Sequence, residues 1–178
     1  MQPTYTDTIR QQQQPQPPQV RLGGPSPDKI GGWLIVVAIG LIFATLRILL
    51  FTFKDIIPVF KPETWSLLTT PGTPAYHPLW APLLIGELAG NLFFVVFGIT
   101  LVVLFFQKRK IVPKLVIIYL LTNLGFVLTD YFVADLIPIV AQQDNTSAVK
   151  EIFRGVVGAG VWVPYFLISK RVKGTFTR

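Results

Sequence analysis

The sequence predicts an all-α polytopic membrane protein: four transmembrane helices in a compact antiparallel bundle, with both termini cytoplasmic. Three observations predict it. Of 178 residues only 14% are charged and 51% are hydrophobic, with a mean hydropathy of +0.54, whereas soluble domains carry about 25% charged residues. Four runs are long and apolar enough to cross the hydrocarbon, which takes roughly 20 helical residues. Lys and Arg collect in one alternate set of the segments between those runs, as in cytoplasmic loops.

Residues 1–29 stand apart. Gln11-Gln12-Gln13-Gln14-Pro15-Gln16-Pro17-Pro18-Gln19 is polar and Pro-rich. Such a stretch buries too little apolar area to offset chain ordering, so a disordered or polyproline-II cytoplasmic tail is expected.

The first span is expected over 30–53, with Arg47 as its one charge. It exceeds the 7–15 residues or so of a signal-peptide core and should stay in the mature protein. The second, 79–106, holds only Glu87 as a charge and places Pro82 in a first turn. The third, 111–138, begins near Pro113 and ends near Pro138, with Asp130 and Asp135 in its second half. The fourth, 148–169, carries Lys150, Glu151 and Arg154 early and Pro164 inside, where a proline kinks a helix unless neighbours satisfy the freed carbonyl. Gly86 with Gly90, and Gly155 with Ala159, form small-xxx-small pairs that favour close helix packing.

The outer loop, 54–78, mixes apolar stretches (56–60, 65–68) with the turn at Pro71-Gly72. An interfacial segment with its aromatics at headgroup level is the first expectation; a lid over an outward cavity is the alternative.

Orientation follows the cations. Arg10, Arg21, Lys29, Lys108, Arg109, Lys110, Lys114, Lys170, Arg171, Lys173 and Arg178 fall on one side, against Lys54, Lys61 and Lys150 on the other. The positive-inside bias makes the first side cytoplasmic. The net charge of +7 is therefore a topology signal and not a nucleic-acid footprint, since no groove-lining face gathers it. Lys108, Arg109, Lys110, Lys170, Arg171 and Lys173 are expected to meet anionic headgroups, at about 1 kcal/mol each. Residues 170–178 read as a basic cytoplasmic tail whose Phe176 dips into the headgroups.

Charges inside lipid cost about 2.5–3.5 kcal/mol each at the centre and need a reason. Arg47, Glu87, Asp130 and Arg154, one from each span, all lie roughly 9–12 Å below the outer boundary at 1.5 Å per residue. Two are positive and two negative, so a charge-balanced polar cluster is expected, with a guanidinium fork serving two carboxylates or a carboxylate and a carbonyl; the alternatives are arginines that snorkel to the interface unpaired, a protonated Glu87 and an Asp130 that faces a water-filled dip. Asn91 follows Glu87 by four residues and Asn123 precedes Asp130 by seven, each pair sharing a helix face. Arg154, Gly158, Trp162 and Tyr165 form a stripe on the fourth span.

Certain strings carry a resemblance. Ile30-Gly31-Gly32-Trp33-Leu34, Glu87 with Asn91, and Trp162-Val163-Pro164-Tyr165-Phe166-Leu167 followed by Ser169-Lys170-Arg171-Val172-Lys173-Gly174-Thr175-Phe176 resemble the uncharacterised bacterial inner-membrane family catalogued as domain of unknown function 2569. The resemblance covers about 30–176 and implies a four-helix inner-membrane protein, with no activity or catalytic residues to carry over.

Cys is absent and His77 is the one histidine, so no metal site, thiol nucleophile or other cofactor signature is present. No catalytic residue is assigned and the chain is not expected to be an enzyme. The first functional expectation is a structural or accessory membrane component. The alternative is binding or transport of a small ligand, ion or lipid through the outward-facing polar cluster. Membrane lipids are the expected partners, and a homodimer or membrane-protein partner would be needed for transport by so few helices.

Overall fold

The structure is a computed structural model and describes residues 30–177. The expectations for the 1–29 tail and for Arg178 lie outside them. All regular elements among these residues are helical: α1 (Trp33–Phe51), α2 (Pro62–Thr69), α3 (Trp80–Phe106), α4 (Val112–Asp135), α5 (Pro138–Ala141), α6 (Thr146–Ile168) and α7 (Lys170–Thr175). Four of them, α1, α3, α4 and α6, are long and apolar enough to span a bilayer.

Their boundaries have local causes. Gly32 opens α1 with φ +57°, a left-handed conformation that L side chains rarely adopt. A Cβ there would also come within 3.1 Å of Arg171. At its far end α1 runs on through a π-helical turn (Thr52–Ile56) and a 3-10 turn (Ile57–Phe60). Lys61 is extended ahead of Pro62, and proline then occupies the first turn of α2. The rings of Phe60 and Trp65 stack at 5.1 Å, so the 54–78 connection is folded rather than loose. Thr45 and Thr52 donate their hydroxyls to Leu41 and Ile48 carbonyls at 2.8 Å, which satisfies polar groups that lipid cannot. α6 continues through Pro164 to Ile168.

The spans form an open row. α1 packs on α3, α3 on α4, and α4 on α6, whereas α1 and α6 are not packed along their lengths. Two side-chain contacts bridge that seam. Arg47 meets Glu151 at one end, and the indoles of Trp33 and Trp162 meet edge-on at 6.5 Å toward the other. The core accordingly lies among α1, α3 and α4: Leu34, Val37 and Leu41, then Phe94, Leu101 and Phe105, then Val112, Val116 and Tyr119. From α6 it draws Phe166. Outward faces are as apolar as inward ones, with Phe43, Phe93, Val96 and Phe153 all exposed, as befits helices dissolved in hydrocarbon.

Close approaches between the spans are at three glycines. The Phe126 ring fills the space a Cβ at Gly90 would take, Thr45 does so at Gly98, and Leu124 lies 3.0 Å from it at Gly155. Gly86 faces open space, so of the Gly86–Gly90 pair only the second member brings helices together.

The segment after α6 differs from a free basic tail. Ser169 caps α7 by accepting from the Val172 amide, and Val172, Thr175 and Phe176 are buried. The Phe176 ring packs on Phe105 at 5.1 Å instead of turning to headgroups. Lys170 and Lys173 stay exposed, as do Arg109 and Lys110, while Lys108 and Arg171 are half-buried.

Candidate ligand cavity

At the end of the row that carries the 136–145 connection, the helices enclose a cavity of about 380 Å³. Its walls repeat at helical spacing. Arg47, Ile48 and Phe51 come from α1, Glu87 and Asn91 from α3, Asn123, Val127 and Asp130 from α4, and Ser147 and Glu151 from α6. Residues 3, 4 or 7 apart share a helix face, which is why each helix offers a short ladder and not a scatter. The rim is closed by Asp135, Val140, Gln143, Asp144 and Asn145.

That rim is itself pinned. Asn145 Nδ2 donates to the Tyr131 hydroxyl at 3.1 Å. Asp144 accepts from both the backbone N–H and the hydroxyl of Thr146, and these bonds hold its carboxyl below the usual carboxylate range. No residue of 54–78 lines the cavity. The connection between α4 and α6 lines it instead, through Val140, Gln143, Asp144 and Asn145.

Arg47 Nη2 donates to Glu151 Oε1 at 2.6 Å, with the two side chains 45% and 37% exposed. An ion pair this open stabilises by at most about 1 kcal/mol. Its partner is thus Glu151 of α6, not Glu87 or Asp130. Arg154 does not line the cavity: it is exposed and lines a neighbouring cleft. Tyr165 lies apart from both, its ring 5.8 Å from Trp162 and 5.7 Å from Phe166. Of the seven residues expected to cluster, Arg47, Glu87, Asn91, Asn123 and Asp130 share the cavity, and Arg154 and Tyr165 do not.

The electrostatic consequence is large. Glu87, Asp130, Asp135, Asp144 and Glu151 face one space whose single cation is Arg47, so the expected two-against-two arrangement is replaced by five carboxyl groups around one guanidinium. Glu151, Asp135 and Asp144 were the residues missed by counting depth along each span. Glu151 had a readable signal, since Ser147, Glu151, Gly155, Gly158 and Trp162 repeat at helical spacing. Asp135 and Asp144 had none, being at a helix end and in a connection. Asn91 adds a second feature: it is only 7% exposed and its amide Nδ2 has no hydrogen-bond partner, an arrangement that native interiors avoid unless something polar visits. Among the described residues no group of three His, Cys, Asp or Glu converges tightly enough to hold a metal ion.

Beside the cavity runs an apolar cleft of about 470 Å³ between α1 and α6, floored by α4. Val36, Gly40, Phe43 and Ala44 form one wall and Gly155, Gly158 and Trp162 the other, with Arg154 on its border. Arg47, Ile48, Asn123, Val127 and Glu151 line both spaces, so the salt bridge stands in their common wall.

Comparison with known proteins gives two matches. The family model described as protein of unknown function (DUF2569) matches residues 27–177. The inner membrane protein YdgK of Escherichia coli (strain K12) is 28% identical over 155 residues, covering 85% of this chain and 95% of that protein. No solved structure matches.

Proposed function

The chain belongs to the DUF2569 family, integral inner-membrane proteins without an assigned activity, and on that premise we propose that it is a binding protein for a small organic cation. The observation that carries the reading is the set of five carboxylates around one cavity whose only cation already serves Glu151. A space of 300–1,000 Å³ or so suits a small molecule, and this one is about 380 Å³. Carboxyl groups spread around a wall fit a diffuse ammonium better than Ca2+ or Mg2+, which demand six or more oxygens at about 2.0–2.6 Å. Asn91 supports the same ligand, because a half-turn of its amide presents an acceptor in place of the unpaired donor.

The reading places both termini in the cytoplasm and the cavity mouth away from it, because Lys108, Arg109, Lys110, Lys114, Lys170, Arg171 and Lys173 share the opposite end. Alkaline phosphatase fused within 70–76 is then active, and fused after Thr177 it is inactive. The reverse pattern would turn the cavity toward the cytoplasm.

Binding of tetramethylammonium to the protein in lipid nanodiscs, followed by calorimetry, tests the function. Glu87→Gln and Asp130→Asn each replace one wall carboxyl by an amide at nearly constant shape and weaken binding about tenfold, roughly 1.4 kcal/mol. Absence of any saturable binding by the wild type would leave the chain as the structural or accessory component that composition alone suggests.

A further inference from the structure

The cavity and the apolar cleft share a wall, and we infer from this that the ligand is an amphiphilic amine: an ammonium head in the acidic cavity with an alkyl tail in the cleft between α1 and α6. This rests on the binding function proposed above and specifies its substrate class.

Two independent features lead to a tail. First, α1 and α6 are the ends of the row and are not packed together, so the cleft opens sideways toward hydrocarbon and a chain lying in it never has to leave an apolar medium. Second, its walls are kept low by small residues. A Cβ added at Gly40 or at Gly158 would meet nothing within 4 Å, although both residues line the cleft. Glycines usually mark places where helices touch; here they mark a trough.

Charge sorts the two ends of the ligand. Arg154 borders the cleft and repels an ammonium, while the five carboxylates of the cavity attract it. Asn123 and Glu151 line both spaces and supply polar lining where head joins tail. A head bearing a phosphate would bring negative charge toward those carboxylates, which favours a simple alkylammonium over a phospholipid.

Open space at the two glycines also provides the test. Gly40→Leu and Gly158→Leu fill the cleft without touching the cavity. In phosphatidylcholine nanodiscs, at concentrations that leave the discs intact, the wild type binds decyltrimethylammonium at least as tightly as tetramethylammonium. Each filled variant keeps tetramethylammonium affinity and loses at least tenfold for the decyl compound. Equal binding of the decyl compound by wild type and filled variants would overturn the inference while leaving the cation site standing; failure of the wild type to bind either probe removes both. A second measurement needs no variant. A decylammonium with a diazirine at its chain end labels Val36, Phe43 or Trp162 of the wild type, and excess tetramethylammonium suppresses the labelling. Labelling of those residues that tetramethylammonium does not diminish counts against a seated tail.

Discussion

Replacing Gly98 by Ala lowers stability by about 1–3 kcal/mol, the usual range for overpacking a filled interior, and Thr45→Ala in the same chain returns much of it. The cause is the seam between α1 and α3. Thr45 occupies the volume a methyl at 98 would need, is 8% exposed, and is tied down by the bond from its hydroxyl to Leu41. A β-branched residue in a helix has little rotamer freedom with which to yield, so the backbone must move instead. Gly86→Ala is the internal control: open space surrounds that position, and its effect stays within about 0.5 kcal/mol. Thermal unfolding in a mild detergent reads the wild type, these three variants and Thr45→Ala alone. Additive losses in the Gly98→Ala/Thr45→Ala double variant would show that the two side chains do not compete for one space.

Arg47→Ala tightens binding of tetramethylammonium, the opposite sign to Glu87→Gln. Removing the guanidinium takes away the cavity's one cation and releases Glu151 to face the ligand. Unit charges about 8 Å apart interact by about 2 kcal/mol at an effective dielectric constant near 20, which is roughly thirtyfold in affinity. Stability changes little, because both side chains of the pair are more than a third exposed. Glu151→Gln acts in reverse by deleting one carboxylate and freeing Arg47 to compete for Glu87 or Asp130. An Arg47→Ala protein that binds the cation no better than wild type would mean that the carboxylates do not set the affinity. Because a charge-balanced cluster predicts the loss of an essential partner on the same substitution, the sign alone separates the two pictures.

How far each site residue was legible depends on which coordinate of the helix it needed. Arg47, Glu87 and Asp130 could be placed by height, since 1.5 Å per residue converts a position in an apolar run into depth. Asn91 and Asn123 followed from sharing a face with a carboxylate. Arg154 sits at a similar height but points into the cleft, and Glu151, three residues earlier, takes the place beside Arg47. Depth has nothing to say about that choice. The 54–78 connection is long and aromatic, yet it folds against its own neighbours and lines no part of the cavity, whereas the shorter 136–145 connection does.

The sequence alone showed a helical membrane protein, which four segments are long and apolar enough to span a bilayer, and where along each one the ionisable groups lie. Tertiary structure decided which of those groups meet, that the cavity is acidic and not neutral, and that α1 and α6 stay apart to leave a cleft. The division has a physical cause. The free-energy cost of leaving hydrocarbon acts along the helix axis and is written into the length of each apolar run. Around the axis, lipid and protein interior are equally apolar, so hydrophobicity does not say which side faces in, and packing at Gly90, Gly98 and Gly155 settles it.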